Sequence, residues 1–267
     1  MATSVPGMTS PDALVRTVTA GGVTTLTLDS PHNRNALSTP LMTQLLDGLA
    51  TAVADDTVRA VVLDHSGPVF CSGADLKETA AAYASGTVPA EMLGDVLAAV
   101  WECPKPVVAR VAGPARAGGL GLIAAADLAV CAQEATFAFT EVRIGVIPAV
   151  ISATVLPRLR PRAAAELYLT GDTFDGQRAA DVGLVTAAVP LAELDAAVAR
   201  YCDSLVRGAP GALAGAKQLL RRPTVDDLRG ELASLAALST DYFLSVEGRE
   251  GVTAFREKRP ASWVPGE

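Results

Sequence analysis

Two apolar runs, Ala60-Val61-Val62-Leu63 and Val107-Val108-Ala109-Arg110-Val111, each lead into a glycine-bearing turn and then into a helical pattern. The first turn reads Phe70-Cys71-Ser72-Gly73-Ala74-Asp75-Leu76-Lys77-Glu78, and the second Ala112-Gly113-Pro114-Ala115-Arg116-Ala117-Gly118-Gly119-Leu120-Gly121. A glycine at the mouth of a helix leaves backbone N–H groups bare for an anion, and donors from two such turns can meet on one oxygen. On spacing alone, Gly73, Gly118 and Gly119 serve equally well as simple tight-turn residues.

The first two-thirds of the chain alternates short β-branched runs with helical patterns, which predicts a mixed α/β core. Expected strands span 23–28, 58–63, 107–111, 128–131, 136–139 and 185–189. Between the first two, Ser38-Thr39-Pro40 supplies an N-cap and a first-turn proline for a helix running to about Ala54. Asp75 and Glu78 have capping-box spacing, so the helix after the first turn is expected to begin at Asp75. From Leu191 the pattern is wholly helical, with Leu191, Leu194, Val198, Tyr201 and Leu205 on one stripe and Val225, Leu228, Leu232, Leu235, Leu238 and Tyr242 on another. Little sheet is expected to remain for these helices to cover, so part of their apolar surface is assigned to another subunit. The expected division is 1–190 for the core and 191–267 for a helical oligomerisation region.

Of the 267 residues, half are apolar and 4% aromatic, enough for one large globular domain. A net charge of −7 provides no global basic field for nucleic acid or an anionic membrane, so an anionic ligand must be met by local cations. The start, Met1 to Gly7, carries no basic-then-apolar segment, and no apolar run approaches the roughly 20 residues of a membrane span, which points to the cytoplasm. Cys71, Cys103, Cys131 and Cys202 are far apart in apolar contexts and read as reduced core thiols. His32 and His65 have no partner at metal-ligand spacing, so no metal is expected. A hydrolase built on Asp64-His65 with Ser66 or Ser72 is disfavoured, because adjacent strand residues face opposite ways and no Gly-x-Ser-x-Gly elbow is present. Gly119-Leu120-Gly121-Leu122-Ile123-Ala124 fits a dinucleotide-binding pattern formally but lacks the strand that should run directly into it.

The two glycine turns resemble those of the enoyl-CoA hydratase/isomerase (crotonase) superfamily. So do Glu141-Val142-Arg143-Ile144-Gly145 and the ending Glu247-Gly248-Arg249-Glu250-Gly251 with Phe255 and Glu257-Lys258-Arg259. The resemblance runs from His32-Asn33-Arg34-Asn35-Ala36-Leu37 to Trp263. It implies a spiral of β-β-α turns with a C-terminal helical trimerisation region, assembled as a trimer or a dimer of trimers. It also implies an acyl-CoA thioester substrate, no cofactor beyond the coenzyme A that the substrate carries, and an enolate oxygen held by the Ala74 and Gly118 N–H groups. Arg34, Lys77 and Lys258 are the cations it implies for the coenzyme. Ala36, Ser72, Ala74, Asp75 and Leu76 complete the implied contacts.

Two-carboxylate hydratases of this superfamily use one Glu to activate water and a second to exchange the α-carbon proton. The second matches Glu141. The position of the first, one turn after Gly118, holds Gly121. A helical glycine costs about 1 kcal/mol relative to alanine, and both room for a bulky acyl group and close helix packing account for it. Glu141 alone is then expected to run hydration, to shuttle a proton between the α and γ carbons as in the isomerases, or to serve another enolate reaction. Each requires a pKa near neutrality, which burial provides. The wording from Phe137 to Ser152 is similar to the branch of 3-methylglutaconyl-CoA-type hydratases, which favours hydratase. Arg116 or Arg143 would meet a distal substrate carboxylate. A non-catalytic acyl-CoA-binding protein is the competing reading.

Overall fold

Gly21 and Gly22, with φ of 58° and 79°, turn β1 (Val15–Ala20) back antiparallel onto β2 (Val23–Leu28). In this computed structural model the described residues are 13–75, 77–80, 90–208, 210–221 and 228–259. The sequence pattern gave no strand at β1, because this edge strand buries no residue and so has no apolar face to betray it. From β2 onward, β3 (Ala60–His65), β4 (Val107–Val111), β6 (Leu128–Ala132) and β9 (Ala187–Val189) add in parallel, giving the order β1-β2-β3-β4-β6-β9. The strands expected at 58–63 and 185–189 each begin two residues later than read.

A second sheet, β5-β7-β8, joins β5 (Ala115–Arg116), β7 (Thr136–Ala138) and β8 (Phe174–Asp175). Two isolated parallel bridges extend its pattern, Leu37 to Ala74 and Cys71 to Ala115. The chain therefore repeats one unit: a long strand in the main sheet, a short extended segment on the second layer, then a helix. This is the β-β-α spiral that the resemblance implies.

Helix α1 (Thr39–Ala54) starts where Ser38 accepts from the Leu41 N–H at 3.4 Å, and Leu41, Met42, Leu45, Leu49 and Ala52 are buried along it. Each leucine buried this way contributes about 2 kcal/mol. Asp75 caps the next helical turn, its Oδ1 accepting from the Lys77 and Glu78 N–H groups at 2.8 and 3.2 Å. The expected reciprocal capping box does not form. Glu78 Oε2 instead accepts from the Thr39 N–H at 2.9 Å and the Thr39 hydroxyl at 2.8 Å, capping α1 from across the site.

The remaining helices are α2 (Ala90–Glu102), α3 (Gly118–Ala125), α4 (Ala149–Val155), α5 (Pro161–Thr170), α6 (Gly176–Val182), α7 (Leu194–Val206), α8 (Pro210–Arg221), α9 (Leu228–Leu244) and α10 (Val246–Glu257). Every residue of α3 is buried, as its lack of polar residues requires. The expectation that little sheet remains for the C-terminal helices is corrected at α7. Leu194, Ala197, Val198 and Cys202 are buried there, and Arg110 on β4 ties the helix to the sheet, reaching Asp64 at 3.0 Å and Asp195 at 2.6 Å. Leu191 leaves the expected stripe, sitting 50% exposed in a short 3-10 turn. Lys217 on α8 is buried, pairs with Asp127 and donates to the Lys105 carbonyl at 2.8 Å. Val225 and Trp263 lie outside the described residues, as do the side chains of Leu228, Leu235, Leu238 and Tyr242. No helix among the described residues is long and apolar enough to cross a membrane.

Candidate active site

The two glycine turns lie side by side. Phe70 N–H donates to the Pro114 carbonyl at 2.9 Å and Arg116 N–H to the Cys71 carbonyl at 3.0 Å, fixing a parallel register in which Cys71 faces Ala115. Three residues beyond that bridge the first turn reaches Ala74 and the second reaches Gly118. A Cβ on Gly73 would lie 2.8 Å from the Ala117 Cβ, and one on Gly119 would lie 2.8 Å from the Cys71 Cβ. The glycines are there because two backbones approach closely.

Ala117 has φ 46° and ψ −118°, a left-handed conformation that strains a residue with a Cβ by roughly 1 to 3 kcal/mol. This kink starts α3 and leaves the Gly118 N–H at its N-terminus, where the helix dipole adds about half a positive charge. Among the described residues, neither the Ala74 nor the Gly118 N–H donates to a protein acceptor. Cys71 is fully buried and its thiol is pushed up to about 12 by desolvation, so it supports the turn without chemistry.

Glu141 sits in the 3-10 turn Thr140–Ile144, which Gly145 ends with φ 73°. The residue is 8% exposed, and its Oε2 has no hydrogen-bond partner among the described residues. Burial pushes its pKa up to about 7. Behind the turn stand Phe139 and Tyr168, ring centres 4.6 Å apart. Helix α10 docks on the same turn through Gly251, where a Cβ would come within 1.7 Å of the Ile144 carbonyl oxygen. Gly251→Ala is therefore expected to push α10 off the Glu141 turn, lowering stability by about 3 kcal/mol. Thermal unfolding and protease sensitivity of the C-terminal helix would report it, and an unchanged melting temperature would contradict it.

At Gly121, a Cβ would fall 2.7 Å from Ile151 Cγ2 and 3.2 Å from Leu97 Cδ2. The position is taken up by packing of α4 on α3, which decides between the two accounts of this glycine. A carboxylate has no room there.

The sequence profile described as Enoyl-CoA hydratase/isomerase matches residues 18–265. The chain belongs to the enoyl-CoA hydratase/isomerase family. A probable enoyl-CoA hydratase of Rhodobacter capsulatus is 36% identical over 241 residues, covering 90% of this chain and 93% of the relative. The crystal structure of an enoyl-CoA hydratase from Mycobacterium avium is 45% identical and superposes with a TM-score of 0.87, covering 95% and 100%. A methylmalonyl-CoA decarboxylase in complex with 2-nitronate-propionyl-CoA is 25% identical, with a TM-score of 0.82 over 95% and 99%.

The other residues that the resemblance implies for acyl-CoA contacts are placed as follows by the hydrogen bonds around them. Ser72 N–H donates to the Arg34 carbonyl at 3.1 Å, Leu37 N–H to the Gly73 carbonyl at 2.8 Å, and Asn33 Nδ2 to Asp75 Oδ2 at 3.3 Å. These bonds stitch Arg34, Ala36, Ser72, Ala74 and Asp75 into one rim, with Arg34, Ala74 and Lys77 exposed and Ala36 buried. Leu76 lies outside the described residues. Lys258 is exposed at the end of α10, in a left-handed cap with φ 54°.

Both arginines considered for a distal carboxylate are engaged elsewhere. Arg116 donates to the Ala115 and Thr136 carbonyls at 2.8 and 2.6 Å, and Arg143 pairs with Asp172 at 2.5 Å. His65 Nε2 accepts from the Ala112 N–H at 3.1 Å, and burial holds its pKa below the usual value, so it braces the second turn as a neutral ring and serves no triad.

Two residues that the sequence reading missed hold the site. Asn35, buried with φ 53°, accepts from the Ser30 N–H at 2.8 Å and donates to the Ser66 and Val69 carbonyls at 3.0 and 2.8 Å. Its clue was weak: asparagine tolerates left-handed backbone. Arg158 donates to the Ala124 and Ala126 carbonyls at 3.0 and 3.1 Å, capping the C-terminus of α3. No local signal marks it, because the partner is 32 to 34 residues away.

Proposed function

We propose that the protein is an enoyl-CoA hydratase in which Glu141 is the single general acid and base. The observation that carries this reading is a buried carboxyl whose Oε2 has no hydrogen-bond partner among the described residues and whose pKa is pushed up to about 7, in a fold whose two adjacent glycine turns carry the Ala74 and Gly118 N–H groups. In the forward direction Glu141 takes a proton from water as its oxygen bonds to the β-carbon. The electron pair of the double bond moves onto the thioester oxygen, which accepts from the Ala74 and Gly118 N–H groups. Glu141 then returns the proton to the α-carbon as the carbonyl reforms. Each donor aimed at the developing oxyanion is worth about 3 kcal/mol of barrier. Arg34, Lys77 and Lys258 supply local cations for the coenzyme phosphates of an acidic protein, with Ala36, Ser72 and Asp75 shaping the rim. No cofactor other than the substrate's coenzyme A is required. The helices from 191 carry exposed Leu220, Val246 and Phe255, which supports subunit contacts in a homotrimer or dimer of trimers. The cytoplasm is the proposed location.

The packing that excludes a second carboxylate at Gly121 also favours a one-base isomerase, which needs no oriented water. Mass spectrometry of products from a panel of enoyl-CoAs in heavy water separates these outcomes. Hydratase adds one water mass, isomerase exchanges deuterium at the α or γ carbon without added mass, and neither change supports a non-catalytic binder.

A further inference from the structure

His65 stands at the root of both glycine turns. It closes β3, is 7% exposed, and sets its ring edge-on to Phe70, the first residue of the first turn, with ring centres 5.5 Å apart at 75°. Its Nε2 accepts from the N–H of Ala112, the first residue of the second turn, at 3.1 Å. Strand pairing between β3 and β4 ends at Leu63 with Ala109, so the imidazole takes up the Ala112 N–H beyond the point where the ladder stops. Gly113 lies against the ring: a Cβ there would come 3.5 Å from His65 Cε1 and would collide with the Pro68 carbonyl.

A ring that accepts at Nε2 carries its proton on Nδ1. That nitrogen is buried with no hydrogen-bond partner among the described residues, and the Ser66 and Val69 carbonyls that act on the ring already accept from Asn35. An unpaired buried N–H is unfavourable, and phenylalanine would have none. Packing therefore does not account for the imidazole, and what sets it apart is the acceptor it offers Ala112. That acceptor exists only while the ring is neutral. A proton on Nε2 sets N–H against N–H, and the Ala112 bond must break. Burial, foremost, disfavours the charged ring; Asp64 beside it on β3 acts the other way, and Arg110 on β4 acts with burial. Asp64 and Arg110 pair with each other at 3.0 Å, β2 sets Leu28 opposite His65, and segments 66–70 and 111–115 carry no titratable side chain.

We propose that His65 is a positioning residue for the oxyanion hole: as a neutral ring it clasps the roots of both turns, and its protonation releases the second turn and with it the Gly118 N–H. The inference rests on the reading of Ala74 and Gly118 as donors to the thioester oxygen. The clasp is intact above the ordinary histidine value of 6.5 and is lost as pH falls through the lower value of the folded ring.

Hydrogen exchange of segment 111–121, followed by mass spectrometry and corrected for its intrinsic pH dependence, reads the clasp without turnover. A released ring titrates at the ordinary value, so protection is expected to fall about tenfold from pH 7.5 to pH 5. The fall should persist in Glu141→Gln protein, where the carboxyl of the site no longer titrates. In His65→Gln, whose amide oxygen accepts but does not titrate, protection is expected to stay within about twofold over the same range. His65→Phe keeps a ring against Phe70 and should lose protection at both pH values. On the enoyl-CoA panel at pH 7.5, His65→Phe is expected to lower kcat at least about tenfold with KM within about twofold. His65→Gln should recover most of that loss, a rescue that ring packing alone would not give. Wild-type protection that ignores pH, or equals that of His65→Phe, overturns the proposal, as does an unchanged kcat in His65→Phe protein that has lost protection. Wild-type protein that turns nothing over, yet shows the pH-dependent protection, overturns the hydratase reading and leaves the clasp standing.

Discussion

Glu141→Gln is expected to lower kcat/KM about a thousandfold while making the protein more stable above neutral pH. Loss of a general acid and base costs between about a hundredfold and ten-thousandfold, and here no second carboxylate can substitute, because Ile151 fills the space beside Gly121. The stability change follows from linkage. Glu141 has a folded pKa of about 7 against an ordinary 4.5, so the folded state holds its proton more tightly than the unfolded chain. Stability on its account is full below the ordinary value and is lost as pH rises through about 7. The shift corresponds to roughly 3 kcal/mol for this buried carboxyl. Glutamine escapes that cost. Thermal melts at pH 5 and pH 8.5 should show little difference between variant and wild type at the lower pH and a clear gain for the variant at the higher. The acid limb of the wild-type kcat/KM profile should fall near pH 7. Equal melting temperatures at both pH values would mean that the carboxyl is not desolvated in solution.

Gly73→Ala is expected to reduce kcat by about a hundredfold or more with little change in KM. The position has φ 93°, so any side chain is strained, and the added Cβ would lie 2.8 Å from the Ala117 Cβ and 3.3 Å from the Arg116 carbonyl oxygen. Relief requires the two turns to separate, which moves the Ala74 N–H away from the Gly118 N–H. Misplacing one oxyanion donor costs roughly 3 kcal/mol of barrier, and binding of the coenzyme portion rests on other residues. The strain itself should lower stability by about 1 to 3 kcal/mol. A folded variant with unchanged kcat would remove Ala74 from the site.

The strands at β2, β4 and β6 and the cap at Ser38 were legible because each declares itself within a few residues. Edge strand β1 was not, since it buries nothing. Glu78 was read as one half of a local capping box, and the error is physical: its carboxylate finds the Thr39 N–H and hydroxyl, a pairing invisible to any short window. Asn35 and Arg158 escaped for the same reason, as their partners are distant carbonyls. Likewise the apolar residues 194–202 announced a helix, and only assembly with the sheet decided that they cover its face.

By itself the sequence determined that glycine turns follow two apolar strands, that Glu141 lies in a motif of this family, and that Gly121 stands where a carboxylate is expected. The first is a property of residue type and order that local sterics suffice to read; the other two come from the resemblance of those residues to the family's motifs. Only the tertiary structure decided that the two glycine turns lie side by side, that Ile151 occupies the space at Gly121, and that Glu141 is buried with its Oε2 unpaired among the described residues. Register, excluded volume and desolvation depend on segments brought together from distant parts of the chain, and no local pattern encodes them.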